Sequence, residues 1–189
     1  MKNGSDTPVV LTIGHSTRTL AAFIQLLKSN AVTTVVDIRT VPRSRHNPQF
    51  NTETLPAALS AADIGYRHLA GLGGLRRPRP DSPNQGWLNA SFRGFADYMQ
   101  TAEFEENLQS LISLAQPELI ALMCAEAVPW RCHRSLIADA LSIRGIQVEH
   151  IISRTGRRPH VLTPWAQVKG NQILYPLHPS PDDESKQET

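Results

Sequence analysis

PELIALMCAEAVPWRCHRSLIADALSIRGIQVEHIIS, residues 117–153, is the stretch whose reading decides the fold. Its opening, PELIALMC (117–124), is apolar without alternation, the pattern of a strand covered on both faces, as in parallel sheets. HRSLIADALSIRG (133–145) then sets Leu136, Ile137, Ala140 and Leu141 on one helical face and ends on Gly145, suited to a helix C-cap. IQVEHIIS (146–153) returns as a strand. Strand, loop, helix and strand in succession are the parts of a parallel βαβ unit.

The same alternation extends outward. VVLTIGH (9–15) reads as a buried strand, and TLAAFIQLLKSN (19–30) as a helix with Leu20, Phe23, Ile24 and Leu27 on one face. VTTVVDIR (32–39) is a second strand, and NTETLPAALSAADI (51–64) a second helix with Pro56 in its first turn. GYRHL (65–69) is a short third strand. FRGFADYMQTAEFEENLQSLISLAQ (92–116) is helical with a break near Thr101. Between them, residues 70–92 are rich in Gly, Pro and polar side chains and read as a long loop. Residues 154–176 read as a basic loop with one or two short elements. The expected fold is therefore α/β: one domain over 9–178, with a mainly parallel sheet of about five strands flanked by helices. Residues 1–8 and the acidic tail 179–189 are expected to be disordered.

Bulk properties exclude several classes. No run of about 18 apolar residues exists, so no membrane partner is expected. The N-terminus MKNGSDTPVV lacks the apolar stretch of a secretory signal, which makes a cytoplasmic location the expectation. Two cysteines do not make a disulfide framework, and in a reducing compartment they start as thiols. The formal charge of +2 conceals an acidic tail of net −3 (Asp182, Asp183, Glu184 and Glu188 against Lys186), leaving +5 on the rest. Arginine supplies that charge, fifteen residues against four lysines. Its forked donors suit carboxylate and phosphate, although a high-GC genome would produce the same bias.

Open parallel sheets bind ligands beyond the carboxyl ends of their strands. After the first strand come Gly14, His15, Ser16 and Arg18; after the second, Asp37 and Arg39, then Arg43, Ser44 and Arg45. The third ends at Arg67 and His68. The fourth ends at Cys124 and Glu126, followed by Arg131, Cys132, His133 and Arg134. The opposite rim, with KSNAV, SAADIG and LAQPE, carries nothing comparable. Reactive and basic residues thus gather on one side.

Three of these blocks, TIGHSTR, DIRTVPRSR and CAEAVPWRCHR, resemble the signatures of the domain of unknown function 488 family: T-x-G-H-S-x-R, D-[IV]-R-x-x-P-x-S-R and C-x-E-x-x-x-x-x-C-H-R. The resemblance spans about residues 11–152. It implies that the three blocks form one site, as the rim placement does, and it names no activity.

The residues permit several chemistries. Cys132 opens a helix beside Arg131, His133 and Arg134, where dipole and charge favour the thiolate of a nucleophile or redox thiol. Cys124 is placed to serve as a resolving thiol, or simply as a core residue. A cysteine-phosphatase arrangement would need its arginine one residue earlier: counting from Cys124, that position is Trp130 and Arg131 follows. His15, Asp37 and Glu126 are candidates for acid/base or orienting roles, with salt bridges to Arg39 and Arg131 as the plainer reading of the acids. Ser16, Arg18, Arg39, Arg43, Ser44, Arg45, Arg131 and Arg134 suit an anionic small molecule or nucleotide. Nucleic acid stays open through RTGRRPH, RRPRP and Trp87. GLGGLRRPRP matches neither a dinucleotide fingerprint nor a P-loop, and suits a mobile lid or a plain surface loop. The sequence requires no cofactor; a metal on Cys124, Cys132 and His133, with His15 or His68, is the alternative to thiol chemistry. Oligomeric state is left open.

Overall fold

The computed structural model describes residues 8–177. The disorder expected for 1–8 and 179–189 therefore falls outside the described residues, Pro8 excepted.

Five parallel strands form the sheet in the order β3 (Gly65–His68), β2 (Thr34–Asp37), β4 (Ile120–Cys124), β1 (Val9–Gly14) and β5 (Gln147–Ile151). A sixth strand, β6 (Arg157–Pro159), pairs antiparallel with β5. Its sequence, read as part of a basic loop, turns back because the amides of Ile152 and Ser153 both reach the Gly156 carbonyl. A separate hairpin pairs β7 (Gln167–Lys169) with β8 (Gln172–Leu174).

The helices are α1 (Leu20–Ser29), α2 (Leu55–Ser60), α3 (Ala90–Tyr98), α4 (Ala102–Ala115) and α5 (Arg134–Ser142). α2 is shorter than the expected 51–64. Thr54 bonds back to the Pro48 and Asn51 carbonyls before the helix begins, and Asp63 turns with φ 60° after it. The break near Thr101 is a cap: its hydroxyl donates to the Tyr98 carbonyl and accepts from the Phe104 amide. Among the described residues no helix is long and apolar enough to cross a membrane.

Strand alternation divides the core into two layers. Leu11, Ile13, Val35, Ala121 and Met123 pack with Phe23 and Leu27 of α1 and Leu55 and Leu59 of α2. Val10, Val36 and Leu122 face Phe95, Phe104, Leu108, Leu136 and Ile137 from α3, α4 and α5. The same period assigns Cys124, two residues after Leu122, to the α5 layer. The buried end of β4 therefore meets the residues that open α5.

A polar chain crosses this core away from the rim. Thr12 Oγ1 lies 2.7 Å from His150 Nδ1, His150 Nε2 lies 3.1 Å from His160 Nδ1, and His160 Nε2 lies 2.7 Å from Asp139 Oδ1. Thr163 and Tyr175 donate to the other Asp139 oxygen. Burial first, then the positive charge of His160, Arg134 and Arg158, pushes His150 down to about 4. The unfolded side chain titrates near 6.5. Stability is therefore full above pH 6.5 and is lost as pH falls toward 4, because the unfolded chain takes the proton first. Between pH 7 and 5 the expected loss is about 1–2 kcal/mol after allowance for solvent screening, or roughly 3–6 °C in Tm. Thermal melts should show this slope, flattened in His150→Gln; an equal slope in both chains refutes the assignment.

Candidate functional site

The site is built where β1, β2 and β4 end. Three backbone bonds continue the ladder past the strands: His15 N to Cys124 O at 2.9 Å, Ser16 N to Ala125 O at 2.9 Å, and Ile38 N to Met123 O at 3.0 Å. They draw GHS, DIR and CAE together. Ser16 holds φ 50°, a left-handed turn that redirects the chain at the pocket edge. After Glu126 the chain makes a 3-10 turn over Pro129–Arg131, passes Cys132 and His133, and enters α5.

Arg134 holds this crossing in place. Its side chain is buried, and its guanidinium donates to the carbonyls of Glu126 (2.8 Å), Ile13 (3.3 Å) and Ala127 (3.1 Å). Arg134, expected among the anion binders, thus directs NH1 and NH2 to backbone carbonyls, while its buried Nε has no partner among the described residues. Arg18 likewise folds back onto the Gly14 carbonyl and does not line the pocket. Arg45 is exposed and also lies off the pocket.

The pocket itself, about 620 Å³, brings together Cys124, Cys132, His133, His15 and Glu126 with Ser16, Arg39, Arg43, Ser44 and Arg131. Asp37, an acid/base or orienting candidate with a salt bridge to Arg39 as the plainer reading, lies off the pocket lining, is fully buried and makes that pair. Both its oxygens are taken: Oδ1 accepts from the Arg39 backbone (3.1 Å) and Nε (2.9 Å), and Oδ2 accepts from Arg39 NH2 (2.6 Å) and the Tyr66 hydroxyl (2.8 Å). Burial and then the Asp37 charge push the Tyr66 phenol up, so it stays protonated and donating. Arg39 also reaches the Phe50 carbonyl at 2.7 Å and His15 Nε2 at 3.3 Å. Most of its guanidinium is therefore committed within the protein.

His15 is held as firmly. Its ring stacks on Phe50 with centroids 4.3 Å apart, and Nδ1 lies 2.8 Å from the Ser16 carbonyl. Burial lowers its pKa, which leaves the ring neutral, Nδ1 donating and Nε2 accepting from Arg39. With both nitrogens occupied, His15 orients Arg39 and is not a free base.

The floor consists of the two cysteines and His133. Cys124 Sγ and Cys132 Sγ lie 4.0 Å and 3.7 Å from His133 Nδ1, both thiols are free, and the three donor atoms fall within 4.8 Å of one another. His133 Nε2 lies 3.3 Å from the Ile38 carbonyl. The two buried thiols interact electrostatically. The neighbouring Cys132 thiol holds Cys124 low, with His133 and Arg134 acting in the same direction against desolvation. Cys132 is pushed up by Cys124 and by burial. Within the pair the downward shift falls on Cys124, whereas the sequence places the thiolate at Cys132. Cys132 precedes α5 by two residues and has an extended backbone, so it does not sit in the first helical turn where the dipole acts.

Other side chains complete the pocket that rim placement did not identify. Gly74 abuts the His133 ring: a Cβ built there would lie 2.5 Å from Nδ1. Ser91 and Phe92, from the start of α3, close another wall. Gly74 belonged to the stretch read as a lid or surface loop, but nothing in its sequence pointed to His133. That segment is pinned by the buried carboxylate of Asp97, which accepts from Ser82 Oγ (2.6 Å), Asn84 Nδ2 (2.8 Å) and the Arg79 amide (2.8 Å). These bonds tie Arg79, Ser82 and Asn84 to α3, beyond the glycines of the stretch read as a mobile lid or a plain surface loop.

Some of the basic residues noted for nucleic acid make intramolecular contacts, while the side chains of Arg77, Arg154 and Arg158 form no hydrogen bond or ion pair among the described residues. Arg76 lies over the Tyr98 ring at 3.5 Å, Arg79 pairs with Asp81, and Arg157 bonds to Asn30 and Glu149. His68, considered as a further metal ligand, bonds to the Arg39 carbonyl and is absent from the pocket lining. A smaller cavity, about 270 Å³, shares the 3-10 turn as a wall and is lined by Trp87, Trp130, Trp165 and His150.

The family model described as Domain of unknown function DUF488 matches residues 19–141. No curated protein and no solved structure matches the chain.

Proposed function

The chain belongs to the DUF488 family, and on that premise we propose that it is an enzyme that binds an anionic small molecule in the rim pocket and acts on it at the Cys124–Cys132–His133 centre. One observation carries the reading: two thiols and an imidazole converge on the floor of a pocket whose rim bears arginines and, among the described residues, a single acid, Glu126. Donors and nucleophile or ligand atoms facing the same space are what a reaction on a carboxylate or phosphate requires.

The arginines divide by availability. Arg39 is buried and paired with Asp37, so it contributes field and shape. Arg43 reaches the exposed Glu53, a pairing worth little in water. Arg131 is exposed, lines the pocket and makes no ion pair among the described residues. It is the main anion contact. Glu126, two residues after Cys124 in the same lining, is the acid placed to exchange a proton with a bound group.

Calorimetric titration of the full chain with inorganic phosphate and with citrate tests the binding step. Arg131→Ala should weaken the bound anion by about 10- to 100-fold, the value of a charge-assisted hydrogen bond, with folding unchanged. Equal affinity in the two chains, or no binding of either anion at millimolar concentration, removes the reading.

A further inference from the structure

We propose that Cys124 Sγ, Cys132 Sγ and His133 Nδ1 hold one zinc-class divalent cation whose fourth position opens into the pocket. This deepens the enzyme reading and rests on it only for the use of that fourth position.

Geometry leads here. Around a tetrahedral zinc with ordinary Zn–S and Zn–N lengths, sulfur and nitrogen ligands stand about 3.5 Å apart. The observed separations of 3.7 Å and 4.0 Å need contraction of only a few tenths of an ångström. The donors come from two anchored elements: Cys124 ends a central strand, and Cys132 and His133 precede a helix whose Arg134 clasps the intervening loop.

The imidazole is oriented for the task. With His133 Nε2 facing the Ile38 carbonyl, that nitrogen can keep the ring proton when a bound ion takes the Nδ1 lone pair, which points toward both sulfurs. A backbone carbonyl fixing the remote nitrogen is the usual support for a metal-ligating histidine. Gly74 supplies a separate observation. Any side chain there would bring a carbon 2.5 Å from Nδ1, 2.7 Å from Cγ and 3.0 Å from Cε1, against the ring face, so only glycine leaves the imidazole where both sulfurs face Nδ1. A disulfide between the cysteines would not use the lone pair.

Donor chemistry selects the ion. Two thiolates and one imidazole suit borderline-soft zinc, and not magnesium or calcium, which require oxygen ligands. Three protein ligands with one open position are the pattern of catalytic zinc, whereas structural zinc closes its fourth position with protein. Among the described residues no fourth Cys, His, Asp or Glu joins the cluster. The open position would take water or an oxygen of the anionic substrate, which the ion polarises.

The test uses the full chain, dialysed against a chelator and titrated with cobalt(II), then with zinc as competitor. The expected result is one cobalt per chain, with a thiolate-to-cobalt charge-transfer band and the intense visible bands of a tetrahedral site, both abolished by zinc. Cys124→Ser, Cys132→Ser and His133→Ala should each weaken cobalt at least about 100-fold. Gly74→Ala, which leaves all three ligands in place, should weaken it as well, so the proposal stays testable if a cysteine variant misfolds. No cobalt uptake at micromolar concentration, or uptake without the charge-transfer band, overturns the site. Phosphate binding by the metal-free chain is read separately. Cobalt uptake with no anion binding defeats the enzyme reading alone, and anion binding with no cobalt uptake defeats the metal alone.

Discussion

An Asp37→Ala chain is expected to lose about 3–5 kcal/mol of stability, the cost of breaking a buried ion pair by removing one partner. Asp37 is fully buried and Arg39 nearly so, and the carboxylate also holds the Tyr66 hydroxyl and the Arg39 amide. Removing it leaves a guanidinium in the wall with only the Phe50 carbonyl and a neutral His15 as partners. The loss has a further consequence: Arg39 orients against His15, so the pocket wall should loosen and anion affinity should fall with stability. Urea denaturation measures the first effect and calorimetry the second. Asp37→Ala combined with Arg39→Met should recover much of the stability, because an apolar pair does not strand a charge. A loss below about 1 kcal/mol for Asp37→Ala would show that water reaches the pair and that the wall is not held as described.

Gly14→Ala is expected to be at least as damaging, for a purely spatial reason. An added Cβ would lie 1.7 Å from the Glu126 carbonyl oxygen, 2.7 Å from its carbon and 3.0 Å from an Arg134 nitrogen. Two of these atoms are backbone, so β1 and the loop after β4 must separate. That separation would also strain the His15 and Ser16 amides, which bond to Cys124 and Ala125 on the same loop. The expected cost exceeds about 3 kcal/mol, in the range of severe overpacking or worse. It should be seen as poor recovery of soluble protein, or as a lowered urea midpoint with weakened anion binding in what folds. A Gly14→Ala chain with wild-type stability and affinity would mean that this crossing is not closely packed.

Hydrophobic pattern made most of the architecture legible. The continuous runs at Val9–Gly14 and Ile120–Cys124 became adjacent central strands, and the helical faces of α1 and α5 were evident from spacing. β6 escaped because RTGRRPH carries no alternation; only its antiparallel pairing with β5 makes it a strand. The rim rule placed most of the named residues around one pocket, since parallel strands deliver their C-terminal residues to one edge. It could not rank those residues. Whether an arginine faces solvent or the backbone depends on tertiary carbonyls, and Arg134 and Arg131, three residues apart, took opposite fates for that reason. The order of the two thiols was similarly hidden. The sequence places Cys132 at a helix start, but the helix begins two residues later, and the interaction that lowers Cys124 and raises Cys132 exists only once the fold brings them together. Gly74 and Phe50 come from loops with no periodicity, and their roles exist only as contacts with His133 and His15.

Backbone-amide chemical-shift mapping of the full chain during titration with inorganic phosphate tests the central claim most directly. Perturbations should saturate together and cluster on His15, Ser16, Gly74, Glu126 and Arg131–His133, around the pocket at the ends of β1, β2 and β4. Shifts confined to the cavity of Trp130, Trp165 and Arg158, or scattered over the basic surface without saturation, would contradict an anion-binding site at this rim.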